Sequence, residues 1–528
     1  MFARIIKGKR KEYVSIVRGY RDQNGKVKQK TVYSLGPVTE ETKAKTLEIA
    51  NAIVKSSQGS EIINKGEDIT EIERLNWGIS KVMDKMWDKF DLCKVIPHNA
   101  QAIKLMLANR FLDPKSKLGI FNNKEDYEGF SDVSLHDLYK ALDGLDLNKD
   151  RISEHIANKQ KLYGSNDVVF FDVTTLYFES EKSDEIRKFG FSKDCKFKDV
   201  QIVLSVAINK EGRPLAYDIF PGNTFEGKTL LPLLLKLKKY IEIKKVIIVA
   251  DRGMGSNRNL DDLTNAGFDY VIGARLKSAS KDFCSIALSQ DGYKDMYASN
   301  DEIRYKIIKQ ENKSWLCLYS KKRARKDQLD REKFIEKAKS LLDSNSFNND
   351  KRGAKKYIKN LSNQKNNKLQ IDLEKIAKDS MFDGYYALCI SDNSLSPQDI
   401  YAAYHNLWQI EESFRCLKSF MQIRPMFHWT KKRIEGHIMM NFIAFVFKKD
   451  LQLALRAFHS NPSDSNIRKS LRLMNFSTLR IGGSNINSYS NVDSLGGNIL
   501  KVLSILKTSH SFQKSGVLIM ECLLQHLN

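Results

Sequence analysis

Two stretches decide the fold: VVFFDVTTLYF at 168–178 and VIIVAD at 246–251. Each is an apolar run of strand length, rich in β-branched and aromatic residues, and each carries one aspartate. After the first, VQIVLSVAI (200–208), the turn residues Asn209–Arg213 and PLAYDIF (214–220) read as a hairpin. KTLLPLLLKLKKY (228–240) and SNRNLDDLTNAG (256–267) have helical length and period, and FDYVIGAR (268–275) is a further strand. The order β-β-β-α-β-α-β predicts an α/β domain, a mixed sheet covered by helices.

Outward from this core the pattern changes. Between 276 and 384 the order is irregular. EIRYKIIKQ (302–310) and KSWLCLYS (313–320) read as strands, and residues 321–368 carry a net charge of +10. Regular order resumes at YYALCIS (385–391), so 276–384 reads as a basic, largely β domain inserted into the sheet domain, whose parts are 164–275 and 385–455. Upstream, EYVSIVRGY (12–20) and KVKQKTVYSLG (26–36), joined through Asn24-Gly25, read as a basic β-hairpin unit within 1–67. IERLNWGISKVMDKMWDKF, AQAIKLMLANRFL and SLHDLYKALDGL place apolar residues at helical spacing, giving an α-helical domain over 68–163 whose role the pattern leaves open, with DNA binding the expectation. Residues 456–528 read as a C-terminal helical region.

Composition limits the function classes. The 528 residues carry 87 Lys+Arg against 64 Asp+Glu, a formal net charge of +23. That excess implies a polyanionic partner, nucleic acid first, although a lysine-rich composition gives the same excess. The longest apolar run, Met439–Phe447, is far short of the roughly 20 residues a bilayer span needs, so no membrane partner is expected. Seven cysteines without a C-x-x-C pair argue against zinc and against a disulfide framework. Cytoplasmic, nucleoid-associated placement is the expectation.

Asp172 follows four apolar residues, and Asp251 ends an apolar strand at its carboxyl end. A carboxylate in such a place is costly to bury without a partner, and strand carboxyl ends are where sheet proteins gather their sites. Either aspartate could instead cap a turn. A helix over LSPQDIYAAYHNLWQIEESFRCLKSF (395–420) starts well, with Ser396 as N-cap and Pro397 at N1. With Leu407 set at zero, Tyr404, Glu411 and Lys418 fall at roughly 60°, 40° and 20°, along one edge of the core stripe. Arg415 lies beside them. Glu412 falls at about 140°, turned to solvent, so Glu411 is the acid that can face the sheet. An amphipathic helix with a charged shoulder would look the same. Three converging acids would make a hard-oxygen site for Mg²⁺ or Mn²⁺, and two ions about 3.5–4 Å apart serve phosphodiester chemistry. His428, His437 and Asp218 are read as structural, and Trp315 as a buried strand residue.

With these residues in place, the chain resembles the DDE transposases of bacterial insertion sequences, whose catalytic domain is RNase H-like. Their signature helix reads Y-x2-R-x3-E-x6-K. Here Tyr404, Glu411 and Lys418 take its first, third and fourth positions, and Leu407 stands where the family has Arg. The likeness extends to FFDVTTLYF, GRPLAYDIFPGNTFEGKTL, VIIVADRGMGSNRNL, DGYYALCIS and RPMFHWTKKRIEGHI, and more weakly to the opening ribbon and NRFLDPKSKLGIF.

The resemblance implies that Asp172, Asp251 and Glu411 are catalytic and bind two Mg²⁺ ions, with Mn²⁺ as substitute, and that Tyr404, Lys418 and Arg415 contact DNA. It implies a transposase that cuts the ends of its element and joins the 3′-hydroxyls to target DNA, working as a homodimer on double-stranded DNA. A metal-dependent nuclease without strand transfer and a catalytically silent DNA-binding descendant are the competing readings.

Overall fold

A computed structural model describes residues 2–8, 11–21, 26–39, 43–44, 46–51, 70–161, 168–241, 247–298, 301–310, 313–343, 353–360, 369–391, 395–458, 460–481, 484–490 and 492–505. The Asn24-Gly25 turn lies outside these residues. The chain forms two compact units, residues 1–89, 101–138 and 451–528 in the first and 90–100 and 139–450 in the second.

In the first unit the opening ribbon is an antiparallel sheet of β1 (Phe2–Lys7), β2 (Glu12–Arg21) and β3 (Val27–Val38), in the order β1-β2-β3. Its inner face buries Val14, Ile16 and Ala50. β4 (Thr70–Asn76) leads into the helix Trp77–Lys89.

The second unit is built on one nine-stranded sheet. Its strands are β5 (Val168–Tyr177), β6 (Gln201–Asn209), β7 (Pro214–Pro221), β8 (Ile247–Ala250), β9 (Asp269–Gly273), β10 (Lys294–Ala298), β11 (Asp301–Gln310), β12 (Lys313–Ser320) and β15 (Tyr385–Ile390). β13 (Ile358–Asn360) and β14 (Leu369–Ile371) form a separate two-stranded ribbon. The sheet order is β10-β11-β12-β15-β9-β8-β5-β6-β7. β5, β6 and β7 are antiparallel, while β8 and β9 run parallel to β5. That run of five is the RNase H-like arrangement.

The β6–β7 turn forms where the sequence places it. Asn209 Oδ1 accepts from the amides of Glu211 and Arg213, and Gly212 takes the left-handed conformation, φ 80°, that such a turn requires. The segment read as an insertion adds β10, β11 and β12 to this same sheet, followed by a 23-residue basic helix, Lys321–Asp343.

Strand alternation sets the two faces of the sheet. Val169, Phe171 and Val173 point into a core with Leu230, Leu233, Leu234 and Leu237 of the helix Leu230–Tyr240 and with Leu260 and Leu263 of the helix Asn257–Asn265. Asp172 therefore lies on the opposite face. There Tyr217, in the same cross-strand row through Val206, packs its ring on Phe442 of the helix Lys431–Ala457 at 4.8 Å between centroids. Asp218 sits on the edge strand β7 with its carboxylate 3.6 Å from Lys236 Nζ, consistent with a sheet-edge role.

Trp315 lies on β12 as expected but is half-buried rather than buried, packed against two core clusters and edge-on to Phe283.

The first unit closes with an antiparallel sheet in the order β17-β16-β4, made by β16 (Asn475–Ile481) and β17 (Ser484–Tyr489) with β4. In this unit the last carbonyls of the helix Ala100–Leu112, which have no partner inside the helix, receive Arg468 and Arg472. Arg468 Nε donates to Phe111 O at 2.9 Å and Arg472 Nη2 to Leu112 O at 2.6 Å. Among the described residues no helix is long and apolar enough to cross a membrane.

Candidate active site

The two aspartates meet because β5 and β8 are parallel neighbours with Phe171 paired to Ala250. Asp172 and Asp251 are each the next residue along, on strands roughly 4.8 Å apart. Asp172 is still within β5 and three-quarters buried, with its side chain 23% exposed. Asp251 leaves β8 into a short helical turn, Arg252–Met254, and is exposed. Burial pushes the Asp172 carboxyl up to about 6. The neighbouring Glu226 and Asp251 carboxylates push the same way, against Lys193 and the Val173 amide, which pull it down.

Lys193 answers this negative charge. Its Nζ lies 3.8 Å from Asp172 Oδ1 and 3.0 Å from Glu226 Oε1, and donates to Val173 O at 2.7 Å. Its own amide donates to Thr175 Oγ1. Glu226 opens the short turn Glu226–Lys228, and one of its carboxylate oxygens approaches Gly253 in the Asp251 turn.

Tyr404 comes in from the other side. Burial, with the Asp251 charge nearby, raises its phenol to about 12, offset by Arg323 and Arg252. Gly273 at the end of β9 makes this approach possible, since a Cβ there would fall 2.6 Å from Tyr404 Oη and 3.0 Å from Arg252 N.

The signature helix is not continuous. The helix Pro397–His405 ends at Asn406, a second begins at Trp408 and runs to Arg415, and Cys416–Phe420 follows as a wide π-helical turn. The start is as expected, with Ser396 Oγ accepting from the Asp399 amide and Pro397 in the first turn. Across the break Leu407 keeps helical dihedrals while Asn406 opens to ψ 1°, and the amides of Leu407, Gln409 and Ile410 bond three residues back, so a tightened turn shifts the phase that would link Tyr404 to Glu411 and Lys418. Glu411 is exposed on the second helix, whose Ile410, Ser413 and Phe414 are buried, while Glu412, expected in solvent, is half-buried. Arg415 is exposed.

Lys418, in the π turn, donates to both oxygens of Asp194 at 3.1 and 3.2 Å, and Arg424 reaches the same carboxylate at 3.1 Å. Burial pulls the Lys418 ammonium below its usual range even though Asp194 favours its charge. Lys418 is thus anchored on the residue next to Lys193, on the Asp172 side. His437 Nε2 lies 3.3 Å from Ile423 O and its ring packs on His428, a structural arrangement as expected.

The structure therefore brings Asp172, Asp251 and Tyr404 together and places Lys418 beside them. It leaves Glu411 outside that group. Among the described residues no three His, Cys, Asp or Glu side chains form a set that could hold a metal ion. Lys193, Asp194, Glu226 and Gly273 were not singled out by the sequence. Glu226 lies in GNTFEG, a segment read only as a link, and Lys193 is one of many lysines.

The transposase DDE domain family model matches residues 163–447, more than half of the chain, and spans all six candidate site residues. The chain belongs to the DDE transposase family. The model of the N-terminal domain of IS1634 family transposases matches residues 3–61, a span that includes most of the opening ribbon. No curated protein matches.

Two solved structures are loosely similar to this transposase. One is a piggyBac transposase synaptic complex with hairpin DNA, at 9% identity and a TM-score of 0.39, covering 82% of this chain and 80% of that one. The other is a Mos1 transposase paired-end complex with the left transposon end, at 13% identity and a TM-score of 0.16, covering 43% and 66%.

Proposed function

We propose that this DDE transposase cuts DNA at the ends of its insertion sequence and joins the freed 3′-hydroxyls to target DNA, with Asp172, Asp251 and Glu411 as its catalytic acids. The observation that carries the reading is the placement of Asp172 and Asp251 on adjacent parallel strands, with the Asp172 carboxyl raised to about 6, chiefly by burial and in part by the neighbouring acids. A half-buried carboxylate held beside two others is under-compensated in positive charge, and hard oxygen donors of this kind suit Mg²⁺ or Mn²⁺. Asp172 and Asp251 would hold the cation, and Glu411, on a helix that packs against β5 and β6, would complete the set. Bound there, divalent ions supply activation of the attacking hydroxyl and stabilisation of the leaving oxygen.

The chain's own residues do the rest. Tyr404, beside the Asp251 charge, would hold that carboxylate through its hydroxyl. Lys418, held as a point charge by Asp194, and exposed Arg415 would grip phosphates near the cut. The exposed lysines and arginines that open the helix Lys321–Asp343 would hold the DNA backbone, with Arg323 already near Tyr404. Double-stranded DNA is the substrate and a homodimer on paired ends the working form.

The test uses DNA from the flanks of the gene as substrate, with wild type and Asp251→Ala compared with and without Mg²⁺ or Mn²⁺. Metal-dependent cutting at a defined end, lost in the variant, is the expected result. Tight binding without cutting by wild type would turn the reading to a silent DNA-binding descendant.

A further inference from the structure

The loop after β5 presents aromatic rings to solvent from a backbone that is firmly held. Its sequence, IRKFGFSKDCKFKD (186–199), interleaves phenylalanine with lysine. Phe191 is 75% exposed, Phe197 60% and Phe189 47%, and Lys196 and Lys198 beside them are exposed too. The Phe191 and Phe197 rings lie 6.3 Å apart, tilted by 57°. Mobility does not explain their exposure. Buried Gln201 donates from Nε2 to Phe191 O at 3.2 Å and to Gly222 O at 2.9 Å, and Gly190 and Gly222 pack so closely that neither has room for a Cβ. Lys193 ties the loop to Asp172 and Glu226, and Asp194 ties it to Lys418 and Arg424. The rings therefore stand on a held loop that reaches the carboxylates through Lys193.

Exposed apolar rings on a held backbone mark a surface that is covered by a partner. The charge of this one selects the partner: five cationic residues against two aspartates within 186–199 favour a polyanion. Phenylalanine offers a π-face and no hydrogen-bonding edge, which suits stacking on bases without reading their sequence. In paired duplex DNA the faces of the bases are covered by their neighbours. We infer that Phe191 and Phe197 form a stacking platform for unpaired bases of a DNA strand next to the scissile phosphate, with Lys196 and Lys198 on its backbone. This rests on the transposase reading of the same site and specifies the strand form it engages.

The experiment measures binding, in chelator and at fixed salt, by fluorescence anisotropy. The probes are a blunt duplex and the same duplex with a short oligothymidine 3′ tail. Wild type is expected to prefer the tailed probe. Phe191→Ala with Phe197→Ala should lower tailed-probe affinity roughly 5- to 150-fold per stacked base, with blunt-duplex affinity and melting temperature unchanged. Phe191→Trp should retain the preference. A double variant that keeps the wild-type preference overturns the platform, as does a wild type that binds both probes equally, and either result leaves the transposase reading standing. Failure of wild type to bind any DNA removes both. Loss of self-association in sedimentation, with tail preference intact, would assign the rings to a second copy of the chain and overturn the inference.

Discussion

Lys193 Nζ stands 3.8 Å from Asp172 Oδ1, and it also reaches Glu226, so one ammonium serves two carboxylates at the point where a cation is expected. Its reach is fixed from the backbone, through its amide on Thr175 and its Nζ on Val173 O. In the metal-free protein it supplies the positive charge that the acids lack. Lys193→Met should therefore tighten Mn²⁺ binding, read by calorimetry, because the competing charge is gone. It should also lower metal-free stability, by no more than about 1 kcal/mol for a partly exposed pair, with added Mn²⁺ restoring it. Unchanged Mn²⁺ affinity would show that Lys193 does not share the cation position.

The Asp172 carboxyl, raised to about 6 chiefly by burial, sets a pH dependence. Between the ordinary carboxylate range and about 6 the folded protein binds more protons than the unfolded chain, so metal-free stability falls as pH rises through that window. Metal binding has the opposite sense, because the ligand must be deprotonated. Mn²⁺ affinity should hold above pH 7 and weaken toward about tenfold per pH unit below 6. Asp172→Asn should flatten both profiles. A stability profile that keeps its slope in the variant would assign the proton to another group.

The hydroxyl of Tyr404 finds its place near the Asp251 charge only because residue 273 has no side chain. Gly273→Ala should push the ring away, since the Arg252 backbone closes the other side of the same space. Tyr404→Phe removes the hydroxyl without crowding the site. Both should lower cleavage while DNA affinity at fixed salt stays close to wild type, with Gly273→Ala the more severe. Equal, unimpaired cleavage in the two would remove Tyr404 from the positioning of Asp251.

How far the sequence reaches is clear from these residues. Asp172 and Asp251 were legible because strand placement is written in apolar runs, and parallel neighbours bring the ends of such runs together. The element order of β5 to β9 followed from the same runs and the turn at Asn209–Arg213, whereas their RNase H-like arrangement was implied by the family resemblance. The helix carrying Glu411 was legible at its start, where Ser396 and Pro397 leave a local signature. Its break at Asn406 was not, because nothing local forbids that helix from continuing. Lys193, Asp194 and Glu226 gain their meaning from contacts across loops, which spacing along the chain does not encode. Likewise β10 to β12 join the main sheet through the β12–β15 pairing, and the residues of those strands carry no mark of their neighbours.

The broken helix makes the choice between Glu411 and Glu412 an experimental one. Glu411 is exposed and Glu412 half-buried, the reverse of what one unbroken helix requires. Glu411 nonetheless precedes Lys418 by seven residues, and Lys418 lies against the loop that carries Lys193. Glu411→Gln should abolish metal-dependent cleavage, a loss of at least about a hundredfold as for other essential polar groups, with DNA binding retained. Glu412→Gln should cleave nearly as wild type. The opposite pair of results would move the third acid to Glu412.

The helix Lys321–Asp343 opens KKRARK, and Lys322, Arg325 and Lys326 are exposed there. Replacing exposed cations costs little folding stability, so DNA affinity reports on them directly. Each phosphate neutralised contributes a slope of about −0.9 when log affinity is plotted against log salt. With Lys322, Arg325 and Lys326 all replaced by glutamine, the slope on a blunt duplex should become shallower by up to about 2.7, three such contacts. Because phosphates carry no sequence, the loss should be the same for element-end and unrelated DNA. Anisotropy titrations over a salt series decide it. An unchanged slope would take this helix off the DNA backbone and leave Lys418, Arg415 and the opening ribbon to account for the salt dependence.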